Sequence, residues 1–266
     1  MKTADNRRGF TLVELMIVAV LGAFVVGATY EIMLSGQRAY TIQTAQLQGQ
    51  QTVRAGINIL FSELREISRS EGDILTMGSD RITIRAMRAF GLVCSVSATG
   101  SPIRVKKMGR WFASGDSIVV FADNDPNISS DDTILSGVVS GIDTTNTCSG
   151  ADTAQSLTVP ALVPALVNDT VRVGAPVRGF TVYTYGLYVL DGDYYLARQS
   201  GATTEHLVGP LSPNGVSFTY MDSLGNVTTD PLAVSQIEVT LRSRSRVVNQ
   251  RGPIADSLTT VIYLRN

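Results

Sequence analysis

The side chains able to do chemistry in this 266-residue chain are few and scattered. His206 is the single histidine, which excludes a multi-histidine metal site, and no CxxC spacing supplies zinc ligands. It follows Glu205 in a segment bounded by Gly201 and Gly209, and reads as an exposed loop histidine rather than a general base. No GxSxG, Walker-type or dinucleotide-binding glycine pattern is present, so the expectation is a protein without enzymatic activity or cofactor. Asp123, Asp125 and Asp132, with Asn124, Asn127 and Asp131 between them, are hard oxygen ligands that could hold calcium. They lack the glycine and terminal glutamate of an EF-hand at the right offsets, and a solvated turn uses the same residue types for backbone geometry. Arg242, Arg244 and Arg246 alternate, with Arg251 beyond, as a row that could meet phosphates. No aromatic residue interleaves with them and the net charge is −1, so they read as a solvated strand face and nucleic acid is not an expected partner.

One ionisable group is out of place. Glu14 lies near the start of an apolar run from Phe10 to Ala28, close to the roughly 20 residues that cross a bilayer as a helix. A carboxylate inside a membrane costs about 2.5–3.5 kcal/mol even on lenient scales, so it calls for a partner. Lys2, Arg7 and Arg8 precede the run and favour retention of the N-terminus in the cytoplasm, with everything after the anchor exported. In an exported chain Cys94 and Cys148 can persist as a disulfide, the alternative being two buried thiols. Closing that loop would stabilise the fold by about 4 kcal/mol in the chain-entropy model.

The elements that must position these groups follow from hydrophobic period. Tyr30 to Ser68 contains no proline, and Val53, Ile57, Leu60, Phe61, Leu64 and Ile67 recur at helical spacing, with Arg54, Asn58, Ser62, Glu63, Arg65 and Glu66 facing water. A helix from Thr11 to Ser68 would be about 85 Å long, ended by Glu71-Gly72-Asp73. The period then changes to two. Ile82 and Ile84, Val216 to Tyr220, and Ile237 to Leu241 alternate with polar residues as half-buried strands do. Ser117–Ala122, Gly179–Val189, Tyr194–Gln199 and Thr259–Leu264 are further strands, and Asp191-Gly192 is a two-residue hairpin turn. Residues 123–173, rich in Asp, Ser, Thr and Gly, read as loops with short strands, an elaboration of the head. The fold class is α+β: residues 10–70 form a long helix whose first half spans a membrane, and 71–266 form a mainly antiparallel β head.

The string Arg7-Arg8-Gly9-Phe10-Thr11-Leu12-Val13-Glu14, leading into that apolar helix, resembles the type IV prepilin signal of type IV pilins and type II secretion pseudopilins. The resemblance implies a leader of residues 1–9, cleavage between Gly9 and Phe10 by a prepilin peptidase, N-methylation of Phe10, and Glu14 as the assembly carboxylate that pairs with a neighbour's terminal amine. It also implies the pilin fold, storage in the inner membrane with a periplasmic head, and partners among minor pilins, a major pilin or pseudopilins, and the assembly machinery. The order of elements in the head is similar to minor pilins of the PilW group and to the J-type pseudopilin. Two departures argue against a bulk filament subunit. The first proline is Pro102, so any loosening of the helix would fall to Gly22 and Gly27, and the two cysteines lie in the middle of the chain rather than closing a C-terminal loop. The expected role is initiation or capping of a filament. The rivals are a secretion pseudopilin, or a tip module that binds a surface, a protein or, less readily, DNA.

Overall fold

The computed structural model describes residues 11–69, 72–97, 101–123, 125, 127–128, 130, 132–148, 153–160, 171–249 and 252–265. Helix α1 runs from Leu12 to Leu64. No proline interrupts these 53 residues, so the hydrogen-bond ladder continues for about 80 Å. Its two halves have different surroundings. From Leu12 to Thr41 every residue is exposed except the half-buried Leu34, whereas Ala45, Val53, Gly56, Ile57, Leu60 and Leu64 are buried. Gly56 allows the closest approach: a Cβ there would lie 2.4 Å from Leu241 Cδ1 and 3.1 Å from Val208 Cγ2. Two expectations are corrected. Phe61 lies outside the buried stripe, 40% exposed, beneath the Arg65 guanidinium. The helix also stops at Leu64, not Ser68, because Ile67 must turn inward to reach the core. The chain leaves through a buried exchange in which Asp73 N–H donates to Ser68 O and Ser68 N–H donates to the Asp73 carboxylate. Gly72, with φ 68°, serves this loop rather than the helix end.

Fourteen strands follow among the described residues: β1 Ile74–Met77, β2 Arg81–Val96, β3 Ile103–Lys107, β4 Ser117–Ala122, β5 Thr133–Val138, β6 Gly141–Asp143, β7 Ala154–Thr158, β8 Pro176–Leu190, β9 Asp193–Ser200, β10 Thr203–Met221, β11 Gln236–Ser243, β12 Val248–Asn249, β13 Gly252–Pro253 and β14 Ser257–Tyr263. One antiparallel sheet has the order β14-β11-β10-β9-β8-β2-β3-β7-β6; β1 also pairs with β2, and β4 lies between β8 and β5. Asp191 (φ 52°) and Gly192 (φ 85°) make the β8–β9 turn, both with positive φ as a tight right-twisting hairpin requires.

The longest strand pair, β2 with β8, serves two cores on one face of the sheet. Ile82, Ile84 and Ala86 are buried in β2 before its register slips between Met87 and Ala89; after it Ala89, Gly91 and Val93 are buried. In β8 the buried positions stay odd-numbered: Val177, Gly179 and Tyr185, apart from Gly186. A one-residue bulge at Arg88 therefore keeps the apolar side of β2 facing the same way. In the first core Val53, Ile57, Leu60 and Leu64 of α1 cover Ile82, Ile84, Tyr185, Leu196, Val239, Leu241 and Ile262. The second core has no helix. Val105 from β3, Ile118 and Val120 from β4, Leu135 from β5 and Leu157 from β7 close over Ala89, Val93 and Val177. The stretch 123–173 therefore contributes buried residues to a core whose other members come from strands on both sides of it.

Candidate functional site

The apolar half of α1 is the segment most at odds with water. An 18-residue window within it has mean hydropathy 2.3 and none of it is buried. Leu12 is 78% exposed and Phe24 74%. Length and composition suffice to cross a membrane. Its first turn is built by Thr11 and Glu14. The Thr11 hydroxyl accepts from Glu14 N–H at 3.2 Å, and the Glu14 carboxylate accepts from Thr11 N–H at 3.1 Å and from its hydroxyl at 3.2 Å. This is a capping box, readable in the sequence as Thr-x-x-Glu but passed over there. It satisfies two donors that a helix start leaves orphaned, and the negative charge also suits the positive end of the helix dipole. An ionised carboxylate has about four acceptor positions, so capping leaves capacity for an incoming ammonium. Gly9 and Phe10 lie outside the described residues.

Cys94 and Cys148 are bonded to each other, with Cα atoms 5.8 Å apart. Cys94 sits where the β2–β3 register slips, between the pairs Val93–Val105 and Ser95–Arg104. The bond fixes the segment between β6 and β7 to β2.

The remaining candidates do not converge. Asp125 accepts from the backbone N–H of Asn127 at 3.0 Å and from its side chain at 2.9 Å, and these bonds hold its carboxyl below the usual range. Asp123 faces Arg172, whose Nε lies 3.6 Å from its carboxylate and donates to its carbonyl at 2.9 Å. Among the described residues no three His, Cys, Asp or Glu side chains, Asp132 included, gather as metal ligands; Asn124 and Asp131 lie outside the described residues. The arginine row is also broken, because β11 ends at Ser243. Arg242 donates to Asn214 O at 3.0 Å, Arg246 pairs with Asp193, and Arg251 lies outside the described residues. His206 is in β10 rather than a loop, half-buried, with its ring edge-on to Tyr195 at 5.5 Å.

Sequence reasoning missed several polar pairs that include partly buried side chains. Glu63 was assigned to water, yet it pairs with Arg88 at 2.9 Å. The Arg88 guanidinium lies 4.8 Å from the Tyr183 ring centroid and that of Arg198 4.6 Å, and Arg198 pairs with Glu205 at 2.6 Å. Burial pushes the Tyr185 phenol beside them up to about 12. Asp73 pairs with Arg178 at 3.0 Å, and burial raises its carboxyl above the ordinary value despite the Ser68 N–H bond. Glu63–Arg88 and Asp73–Arg178 join residues 25 and 105 apart in sequence, so no local pattern announces them.

Residues 5–30 match the family described as the prokaryotic N-terminal methylation motif. No curated protein and no solved structure matches the chain. The matched motif, with the apolar helix it covers, supports a type IV pilin-like protein anchored in a membrane by α1, of a kind that is generally structural and that is processed by a prepilin peptidase and assembles with other pilins.

Proposed function

We propose that the protein is a minor pilin or pseudopilin, a structural subunit that helps to initiate or cap a type IV pilus-like filament. The observation that carries this reading is the unburied apolar half of α1, with Glu14 in its first turn, inside the matched methylation motif. In this reading the peptidase cuts between Gly9 and Phe10 and methylates Phe10. The helix holds the subunit in the inner membrane with its head in the periplasm. Glu14 then meets the terminal amine of a neighbour, an attraction that a low-dielectric helix bundle strengthens. The helices bundle into the filament core, and the sheet faces outward. The disulfide fits this location, since the periplasm is oxidising.

N-terminal mass spectrometry of membrane-extracted protein tests the processing. A chain beginning at methylated Phe10 is expected, and uncut precursor for Gly9→Val. A mature chain beginning at Met1 sinks the assignment. Glu14→Ala should still be cut and keep its head folded while its share in sheared filaments falls; unchanged incorporation refutes the assembly role. Deletion of the gene distinguishes the two filament types: loss of surface pili favours a pilus subunit, loss of secretion with pili intact a pseudopilin.

A further inference from the structure

We propose that β14, the last strand of the head, is an open sheet edge that takes up an extended, uncharged segment of a different exported subunit as an added strand. The choice of partner rests on the anchored reading of α1; the open edge does not.

The direction of the β14 backbone groups is fixed at both ends of the strand. Ser243 N–H donates to Asp256 O at 2.8 Å, and Leu264 N–H donates to Ser235 O at 3.0 Å, both across the β11–β14 ladder. The ladder pairs all 7 residues of β14 without a register shift, so the groups alternate with period two. Those of Leu258, Thr260 and Ile262 face β11, and those of Ser257, Thr259, Val261 and Tyr263 face away. Ser257 N–H is taken by the Asp256 carboxylate at 2.8 Å. Beyond the others, no strand pairs with β14 among the described residues. Such an edge is commonly blunted by a charge, a proline or a bulge. Ser257–Tyr263 has none of these, whereas β6, at the other end of the sheet order, is only 3 residues long and ends in Asp143. On the face away from the core Thr259 is exposed and Tyr263 is 67% exposed; toward the core Leu258 and Thr260 are half-buried. Alternating donors and acceptors at strand spacing match one ligand chemistry, a second extended backbone, with side-chain pairs adding specificity.

The fold also selects the partner. β14 runs beside α1 and in the same direction: a Cβ on Gly49 would lie 3.7 Å from Asp256 Cβ, and Ser68 bridges Arg265 in parallel. Antiparallel pairing of β14 with that of a second copy would therefore set the two α1 helices antiparallel. Two such helices cannot enter one membrane from the same side. Parallel pairing of the same two edges fails for another reason. It needs an offset of one residue between the strands, whereas a two-fold axis places equal residues at equal height. The edge is thus closed to a copy in the same membrane and open to a strand of another chain. Asp256 and Arg265 flank the uncharged stretch, so an antiparallel segment with an acidic residue before it and a basic residue after it is complementary at both ends.

The test uses the full-length protein in detergent micelles and, as probe, a fluorescent peptide of its own Asp256–Arg265 sequence, which has the required charge order and carries no α1. Anisotropy should show saturable binding, absent for a peptide of the same composition in scrambled order. Val261→Pro removes one outward N–H and leaves the β11 ladder intact. It should weaken binding about tenfold, whereas Val261→Thr, which keeps the N–H, should not. Hydrogen exchange on wild type needs no variant: saturating peptide should slow the Thr259, Val261 and Tyr263 amides and leave Ile142 in β6 unchanged. No binding at about 1 mM peptide, equal binding of the scrambled peptide, or binding that leaves those amides exchanging as before overturns the open edge. In cells, p-benzoylphenylalanine in place of Tyr263 should crosslink to a different chain with its own N-terminal methylation motif, and Val261→Pro should abolish the adduct. An adduct of two copies overturns the choice of partner. A protein that binds the peptide yet begins at Met1 keeps the open edge and loses the pilin reading, a distinguishable result.

Discussion

The two cores lie on one face of one sheet and are closed by different means. Over the first, α1 inserts a preformed stripe of Val53, Ile57, Leu60 and Leu64. Over the second, strands on either flank of β2 and β8 curl across, and the Cys94–Cys148 bond ties the β6–β7 segment to β2. A helix brings its side chains already spaced and needs only a flat apolar surface to meet. Curling strands bring their side chains from segments far apart in sequence, so the closure entropy of each connection opposes the core. A covalent tie answers that cost mainly by restricting the unfolded chain. The first core should therefore depend on side-chain volume, and the second on the disulfide as well.

The largest effect should come from removing volume under the helix. Leu60 is fully buried, and Leu60→Ala should cost about 2–5 kcal/mol, the range for large-to-small core changes. Urea denaturation with amide exchange would locate the loss. Protection should fall at Val239 and Ile262, which share the core with Leu60, and less at Leu157 in the second. An equal fall in both would show one cooperative unit and erase the distinction. Reduction of the disulfide should invert the pattern at a comparable total cost, about 4 kcal/mol by loop-closure entropy. Protection at Ile142 and Leu157 should go first, with Val239 and Ile262 holding. Thiol trapping under denaturing conditions should label neither cysteine until reductant is added.

What the sequence displayed follows the same division. The helix stripe, the alternating strands and the Asp191-Gly192 turn are local patterns, and a single segment carries each in full. The end of α1 was misplaced because Ile67 continues the helical period in sequence while leaving the helix in space. Phe61 fits the same period by position, but the buried stripe is narrower and centred on Gly56 and Leu60, where the sheet approaches most closely. The second core escaped because its members, such as Val105, Leu135 and Leu157, sit in short strands among polar residues and acquire meaning only when paired. At the candidate site, Glu14 stood out by its cost in an apolar run, whereas the Glu63–Arg88 and Asp73–Arg178 pairs had no local signal at all.

A smaller effect tests the fit of helix on sheet. Gly56→Val would drive new atoms into Leu241 Cδ1, which a Cβ alone would already meet at 2.4 Å. Overpacking of this kind costs about 1–3 kcal/mol. The midpoint of urea unfolding should fall, and the loss should again be confined to the first core. Gly56→Ala should show the same sign with a smaller shift. A variant as stable as wild type would mean that α1 can lift from the sheet without cost, and that the stripe holds the helix more loosely than its burial implies.

The smallest effect concerns Asp73 and its partners, and its sign decides which force dominates there. Asp73 is buried, accepting from Ser68 N–H at 2.9 Å and from Arg178 at 3.0 Å. Removal from water disfavours its charged form and outweighs the Ser68 amide and the Arg85 charge, so its folded pKa lies above the unfolded value of about 3.9. The folded state then holds the proton more tightly than the unfolded one. The stability this group contributes is complete below the unfolded pKa and is lost as pH rises through the folded pKa. Asp73→Asn cannot ionise and so lacks this dependence. The stability of wild type minus that of Asp73→Asn should decline as pH is raised above about 3.9 and level off once Asp73 is ionised in the folded state. Urea unfolding midpoints for both proteins across that window provide the measurement. A difference that instead grows with pH would show that the Ser68 amide and the neighbouring arginines prevail over burial, making Asp73 a net electrostatic clasp.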